Sequence, residues 1–381
     1  MKNLARVFVL IFLITALAAS AGMTAGKEIK IGGLFALSGK AANVGITTQK
    51  VANMVVDEIN KKGGIKGAKL VLVVADTRSE PGQAVIAMKK LIDNDKVVAI
   101  VGPTTTGEIM ACIPTIEESK IPVVGCVGGA APVTPIRPYV FKSPQKTSSA
   151  VARIYMYLQK KGIKQIGVMS ATDKFGEEGL VLLRQLAPSY GIKIVADEQF
   201  DPNDSDMSVQ VGKIAAAKPQ AMVVWTIGPA GAIVTKNARQ LKVPFQIVQC
   251  HGQPDPTYIK VAGSAANGTI MPSTKLMVAS QLPNSDPQKK VELAFIKEFN
   301  ARKIGELSTH SGYAWDAIQI VANGIKKAGT DPEKLRAAIE STKNYVGVSG
   351  IYNMSKDDHT GLNSGSLVMV TIKNGKWVMI K

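Results

Sequence analysis

The sequence predicts an α/β protein of two doubly wound lobes built on parallel sheets. Three observations carry this. From Glu28 onward, apolar runs alternate with amphipathic stretches of helical period. The apolar runs are near-continuous Val, Ile and Leu, as in strands buried on both faces between layers of helix. The alternation pauses at a Pro-, Lys- and Ser-rich passage near Ser143 and then begins again. At a typical ~150 residues per domain, a chain of 381 residues has room for two or three proper cores.

The first series runs "IKIGGLF", "VANMVVDEINKKGG", "KLVLVVADT", "QAVIAMKKLIDND", "VVAIVG", "EIMACIPTIEESK" and "IPVVGC". In its first helix Val51, Met54, Val55 and Ile59 share one face, and Gly63-Gly64 marks the end. Right-handed crossovers between such strands give a doubly wound lobe. The turn into "EIMACIPTIEESK" holds Gly102 and Pro103 and then Thr104, Thr105 and Thr106 in a row. One threonine oxygen suffices to cap a helix. The spare hydroxyls lie beside free N–H groups and the positive end of the helix dipole, a favourable place for an anion. At this level cap and pocket both fit.

After "YVFKSPQKTSS" the second series runs "KQIGVMS", "GLVLLRQLAPSYG", "IKIVADEQF", "VQVGKIAAAK", "PQAMVVWTI", "GAIVTKNARQLK" and "PFQIVQC". The last third differs. Two helical stretches, about Asp286 to Lys303 and His310 to Ala328, precede short strand pieces such as "GSLVMVTIK" and "KWVMI". Having no strand series of its own, the helical pair is expected to complete the first lobe rather than to form a third domain.

The chain begins with Lys2 and Arg6, the apolar run "VFVLIFLITALAA" and the small residues "ASAG", the pattern of a secretory signal peptide over residues 1–21, with cleavage expected after Ala21. The apolar run is too short for the ~20 residues of a membrane span. Loss of Lys2 and Arg6 takes the formal charge from +17 to +15. Such charge could serve a nucleic acid. However, the lysines are dispersed as pairs, Lys61-Lys62, Lys89-Lys90, Lys160-Lys161 and Lys326-Lys327, at apparent helix ends where they complement the dipole. With export, that leaves solubility, membrane proximity or attraction of anionic ligands. Cys112, Cys126 and Cys250 are an odd set with no paired-ligand spacing, so neither a disulfide framework nor a metal site with His251 is expected; buried thiols are.

In open α/β sheets ligands sit beyond the carboxyl ends of the strands. That rule gathers "ALSGKAANVG" with Ser38, "GPTTTG", "CVGGAAP", "ATDKFG", "TIGPAG" with Gly228, and "CHGQPD". Glycines there permit close backbone approach, and hydroxyls and N–H groups supply polar contacts. The same loops lack catalytic signatures. Neither G-x-S-x-G nor H-E-x-x-H occurs, and no third group is specified for a Ser38–His251 pair. "VVGCVGGAAP" lacks the spacing of a dinucleotide loop, so no cofactor is expected and the chain reads as a binder rather than an enzyme.

Taken in order, "IKIGGLFALSGKAANVG", "VVDEINKKGGIKGAKLVLVVADTRSEPGQAV", "VVAIVGPTTTGE", "KIPVVG", "YVFKSPQ", "DKFGEEG", "GYAWDAIQIVANGIKKAG" and "DPEKLRAAI" resemble the leucine/isoleucine/valine-binding branch of the type I periplasmic binding proteins. The resemblance implies lobes joined by three hinge crossovers, with residues 28–143 and 272–350 in one lobe and 144–271 and 351–381 in the other. It implies a periplasmic, monomeric protein that captures an amino acid between closing lobes and delivers it to the permease of an ABC transporter. A ligand sensor docking to a membrane receptor is the alternative.

Carried over by position, the resemblance makes Thr106, with Thr105 second, the hydroxyl that holds a ligand carboxylate, together with the N–H groups of Ala130 and Ala131. Val44 falls where an aromatic often covers the ligand, and Phe175 keeps an aromatic from the second lobe. His251 stands where amino-acid binders place an acid for the ligand's ammonium, and His310 falls near another contact. A buried ammonium without an anion is costly. These positions therefore predict a preference for amine-free carboxylates unless Asp173, Asp255 or another acid reaches the pocket, and binding that tightens as pH falls toward ~6.

Overall fold

The computed structural model describes residues 27–380, and the expected signal peptide lies outside the described residues. The first sheet is assembled from β1 (Glu28–Phe35), β2 (Lys69–Asp76), β3 (Ile100–Val101), β4 (Val123–Gly125) and β5 (Val140–Lys142), in the order β2-β1-β3-β4-β5 and parallel throughout. Its crossovers are α1 (Ala42–Lys61), α2 (Pro81–Asp93) and α3 (Thr106–Ser119). On α1, Val51, Ala52, Met54 and Val55 are buried, the stripe that the 3.6-residue period requires.

After α4 (Thr147–Lys160), the second sheet takes β6 (Gln165–Ala171), β7 (Lys193–Phe200), β8 (Ala221–Trp225), β9 (Gln246–Gln249) and β10 (Ile270–Thr274) as parallel strands in the order β7-β6-β8-β9-β10. Helices α5 (Lys174–Leu186), α6 (Ser208–Ala216), α7 (Ala230–Gln240) and α8 (Pro256–Ala262) connect them. The chain then forms α9 (Lys289–Ala301), α10 (Thr309–Ala328), α11 (Pro332–Glu340) and the short hairpin β11 (Tyr345–Val346) and β12 (Ile351–Tyr352). Phe295, Phe299, Tyr313 and Ile318 from this helical pair share one core with Ile31, Val51 and Phe141 of the first lobe.

The second sheet is not wholly parallel. β13 (Leu367–Lys373) pairs antiparallel with β10, and β14 (Lys376–Met379) with β13. Asn374 and Gly375, at φ 49° and 72°, make the hairpin turn between them, a geometry that matches strand twist and calls for Asn-Gly. Two residues are enough to return a strand antiparallel, whereas another parallel strand needs a crossover.

Both late lobe boundaries differ from the expected ones. The passage expected near Met271 falls inside β10, which stays paired to β13 through Thr274. Tyr352, Met354 and Leu362, beyond the passage expected near Gly350, are buried in the first lobe's core. Backbone pairing in one case and burial of three large apolar side chains in the other hold those residues to their lobe; each such side chain contributes about 1.5–3 kcal/mol.

Candidate functional site

Each sheet reverses its strand order once, between β1 and β3 in the first lobe and between β6 and β8 in the second. A crevice opens outside the carboxyl ends of strands at such points. The two crevices face one another and enclose a cavity of about 550 Å³, within the range of small-molecule sites. The first lobe lines it with Lys40 and Ala41 after β1, Ser79 and Pro81 after β2, and Thr105, Thr106 and Gly107 at the start of α3. The second lobe contributes Thr172, Asp173, Lys174 and Phe175 after β6, Glu177 from α5, Pro202 to Ser205 after β7, and Ile227, Pro229 and Ile233 around the start of α7.

The threonine run is both cap and wall. Thr104 Oγ1 accepts the N–H of Ala36 at 3.1 Å and ties the loop after β1 to the loop after β3. Thr105 Oγ1 accepts the N–H of Glu108 at 3.4 Å as the helix cap. Thr106 Oγ1 accepts the N–H of Gly129 at 3.2 Å, which joins α3 to the loop after β4. Glu108, wholly buried, closes the capping box: its Oε2 accepts the N–H groups of Thr104 and Thr105, and its Oε1 takes the hydroxyl of Thr77 at 2.5 Å. The N–H groups of Thr106 and Gly107 have no hydrogen-bond partner among the described residues. They stand at the positive end of α3 against the cavity, an arrangement that favours an anion.

Across the cavity the chemistry inverts. Asp173 caps α5 by accepting the N–H of Gly176 at 2.9 Å through one carboxylate oxygen, and Asp204 accepts the N–H of Asp201 at 3.1 Å. Both line the cavity with Glu177, whose carboxylate is paired with Lys174 at 2.8 Å. One lobe therefore offers helix N–H groups, hydroxyls and Lys40, and the other offers Asp173 and Asp204 beside the Lys174–Glu177 pair and the hydroxyls of Thr172 and Ser205.

Of the residues expected at the site, Thr105, Thr106 and Phe175 line the cavity, and the others lie elsewhere. Ser38 is exposed, and its hydroxyl donates to Asp76 at 2.8 Å. Val44 is buried in the first turn of α1. Gly228, with φ +70°, stands between the lining residues Ile227 and Pro229 without itself lining the cavity, and its carbonyl accepts from Gln253 at 3.3 Å. Ala130 and Ala131 turn their N–H groups to the carboxylate of Glu178 at 2.7 and 2.9 Å.

The two histidines expected to face the ligand do not line this cavity. His251 is 1% exposed, and its ring meets those of Phe175 and Trp225 at 5.6 Å each. Burial, then the Lys142 charge, pushes it down to about 3, so it is neutral at ordinary pH and not a switch near pH 6. His310 packs edge-on against Tyr313 at 5.8 Å, and burial lowers its pKa too. Neither ring nitrogen of His251, nor Nε2 of His310, has a hydrogen-bond partner among the described residues.

The loops after β2 and β7, with Ser79, Pro81 and Asp204, were not among the strand ends gathered from the sequence, whereas Asp173, named there as a candidate acid, does line the cavity. The strand-end rule, applied to "TRSEPG" and "DPNDS", would have included those two loops. Cys112, Cys126 and Cys250 are free and buried, each pushed up to about 12 by burial. No group of three His, Cys, Asp or Glu among the described residues could hold a metal ion, and no described helix is long and apolar enough to cross a membrane.

The model of the periplasmic binding protein family matches residues 28–376. The chain belongs to that family. This periplasmic binding protein is 26% identical over 324 residues to a Leu/Ile/Val-binding protein of Rhizobium johnstonii, covering 84% of this chain and 85% of the relative. It is 25% identical over 322 residues to the leucine-, isoleucine-, valine-, threonine- and alanine-binding protein of Pseudomonas aeruginosa, with 83% of each chain covered. An extracellular ligand-binding receptor from Rhodopseudomonas palustris HaA2 superposes with a TM-score of 0.86 at 26% identity, covering 93% of this chain and 99% of that one. The branched-chain amino acid transporter substrate-binding protein of Streptococcus pneumoniae in complex with isoleucine superposes with a TM-score of 0.81 at 25% identity, over 93% and 100%. This binding protein is thus a ligand carrier of the type I fold, not an enzyme.

Proposed function

We propose that this protein is exported to the periplasm, captures an amino acid in the interlobe cavity and presents it to the membrane permease of an ABC importer. One observation carries the choice of ligand class: the two walls are of opposite polarity. A zwitterion placed across the cavity would set its carboxylate against the free N–H groups of Thr106 and Gly107 and the Thr106 hydroxyl, and its ammonium against Asp173 and Asp204. Phe175, Ile227, Pro229 and Ile233 leave apolar surface for a side chain. The preference for amine-free acids expected from His251 loses its premise, because acids do reach the cavity. The relatives that bind leucine, isoleucine and valine support the same class.

The test is a thermal-shift panel of the proteinogenic amino acids beside amine-free aliphatic and aromatic acids, together with mass spectrometry of any compound released from purified protein. An amino acid should give the largest stabilisation. Stabilisation by amine-free acids with none by any amino acid would overturn the reading.

A further inference from the structure

Two observations concern the loop after β4, whose N–H groups of Ala130 and Ala131 belong to the first lobe. Glu178, on α5 of the second lobe, spans the gap and takes both, Oε1 from Ala130 at 2.7 Å and Oε2 from Ala131 at 2.9 Å. Beneath the same loop lies Lys142, the last residue of β5, wholly buried and without a carboxylate in contact. Its Nζ donates to the carbonyl oxygens of Gly128 at 2.9 Å, Gly129 at 2.6 Å and Gln145 at 2.9 Å.

The carbonyl of Gly129 and the N–H of Ala130 are the two ends of one peptide group. That peptide is held at its oxygen by the Lys142 amine, which burial pushes down to about 7, and at its hydrogen by the Glu178 carboxylate, so both groups polarise it in the same sense. Lys142 and Glu178 thus grip the two ends of one peptide group. The geometry allows no side chain at position 129, where a Cβ would stand 2.9 Å from Glu178 Oε2 and 2.6 Å from Thr106 Oγ1. Glu178 does not line the cavity, so a ligand there does not have to displace it.

We infer that Glu178 is an interlobe latch: its carboxylate, seated on the Ala130 and Ala131 amides over Lys142, holds the lobes together without ligand and sets the open–closed equilibrium of the empty protein. The donor pair is occupied by the protein's own carboxylate, and a ligand's anionic group is left to α3. This holds whichever compound fills the cavity.

Spin labels on Ile86→Cys of α2 and Val209→Cys of α6, both exposed, report the distance between lobes, since the native cysteines are buried. Measured by double electron–electron resonance on ligand-stripped protein, the unsubstituted latch should give a predominantly short distance. Glu178→Gln, which keeps size and removes charge, and Glu178→Ala should each raise the open-to-closed ratio by roughly tenfold or more, the size expected for losing charge-assisted hydrogen bonds. Distance distributions unchanged in both variants would overturn the latch. Because no ligand is added, that result would leave the amino-acid reading untouched.

Discussion

Thr106 Oγ1 accepts the N–H of Gly129 at 3.2 Å, so a residue that lines the cavity also fastens the loop after β4 to α3. Its oxygen is engaged in that contact, and its proton is left to donate. Thr106→Ala removes both contributions and should weaken amino-acid binding about tenfold or more. Thr106→Ser should retain most of the affinity. Calorimetry with the best-stabilising amino acid of the panel checks this; full affinity in the folded alanine variant would reduce Thr106 to a structural tie.

Asp173 separates capping from charge. Asparagine caps helices as well as aspartate does, so Asp173→Asn should keep the bond to Gly176 and the thermal midpoint while losing one anion beside the ligand. Affinity for amino acids should fall, and affinity for the corresponding amine-free acids should hold or rise. A parallel loss for both classes would show that the ammonium does not sit against Asp173.

His251 gives a pH dependence with a definite sign. An unfolded chain protonates this imidazole below its ordinary value near 6.5, whereas the folded chain does so only near about 3. Between those limits the unfolded state binds the extra proton, so this group lowers stability as pH falls through the window. Urea titrations at about pH 7 and about pH 4 should therefore show a larger loss in the wild type than in His251→Gln. Equal losses would mean that the histidine titrates alike in both states.

Asp316 is the buried anchor of the segment after α11. It accepts the N–H groups of Val348 and Ser349 at 3.0 and 2.8 Å, and its Oδ2 lies 3.0 Å from the hydroxyl of Tyr352, whose one proton has the Ser143 carbonyl as its nearer acceptor at 2.7 Å. Burial pushes its carboxyl up to about 7, against the pull of these donors. Asp316→Ala strips two buried N–H donors of their partner, while the Tyr352 hydroxyl keeps Ser143, and should cost about 2 kcal/mol or more by chemical denaturation at neutral pH. A change within about 0.5 kcal/mol, as at an ordinary surface position, would show the donors satisfied some other way.

The sequence carried the lobes further than the site. Strand and helix runs were legible because burial on two faces demands continuous Val, Ile and Leu, and burial on one face demands the spacing of Val51, Met54 and Val55. The loops of the cavity were legible where glycines and hydroxyls follow a strand. "DPNDS" was passed over because nothing local marks a polar loop as facing another lobe. The surroundings of His251 were hidden for a related reason: the resemblance sets it against the ligand by position alone, and the rings of Phe175 and Trp225 that pack on it lie 76 and 26 residues away in the chain.

By itself, then, the order of residues determined the α/β class, the two winding series, the strand ends where a ligand can sit and the absence of catalytic signatures, since all of these follow from local period and composition. Tertiary structure alone decided which charges meet: Asp173 and Asp204 across from Thr106, and Glu178 over the peptide that Lys142 holds from below. Pairing of this kind depends on distance in space, and the fold sets that distance by bringing the strand ends of two separate sheets to one crevice.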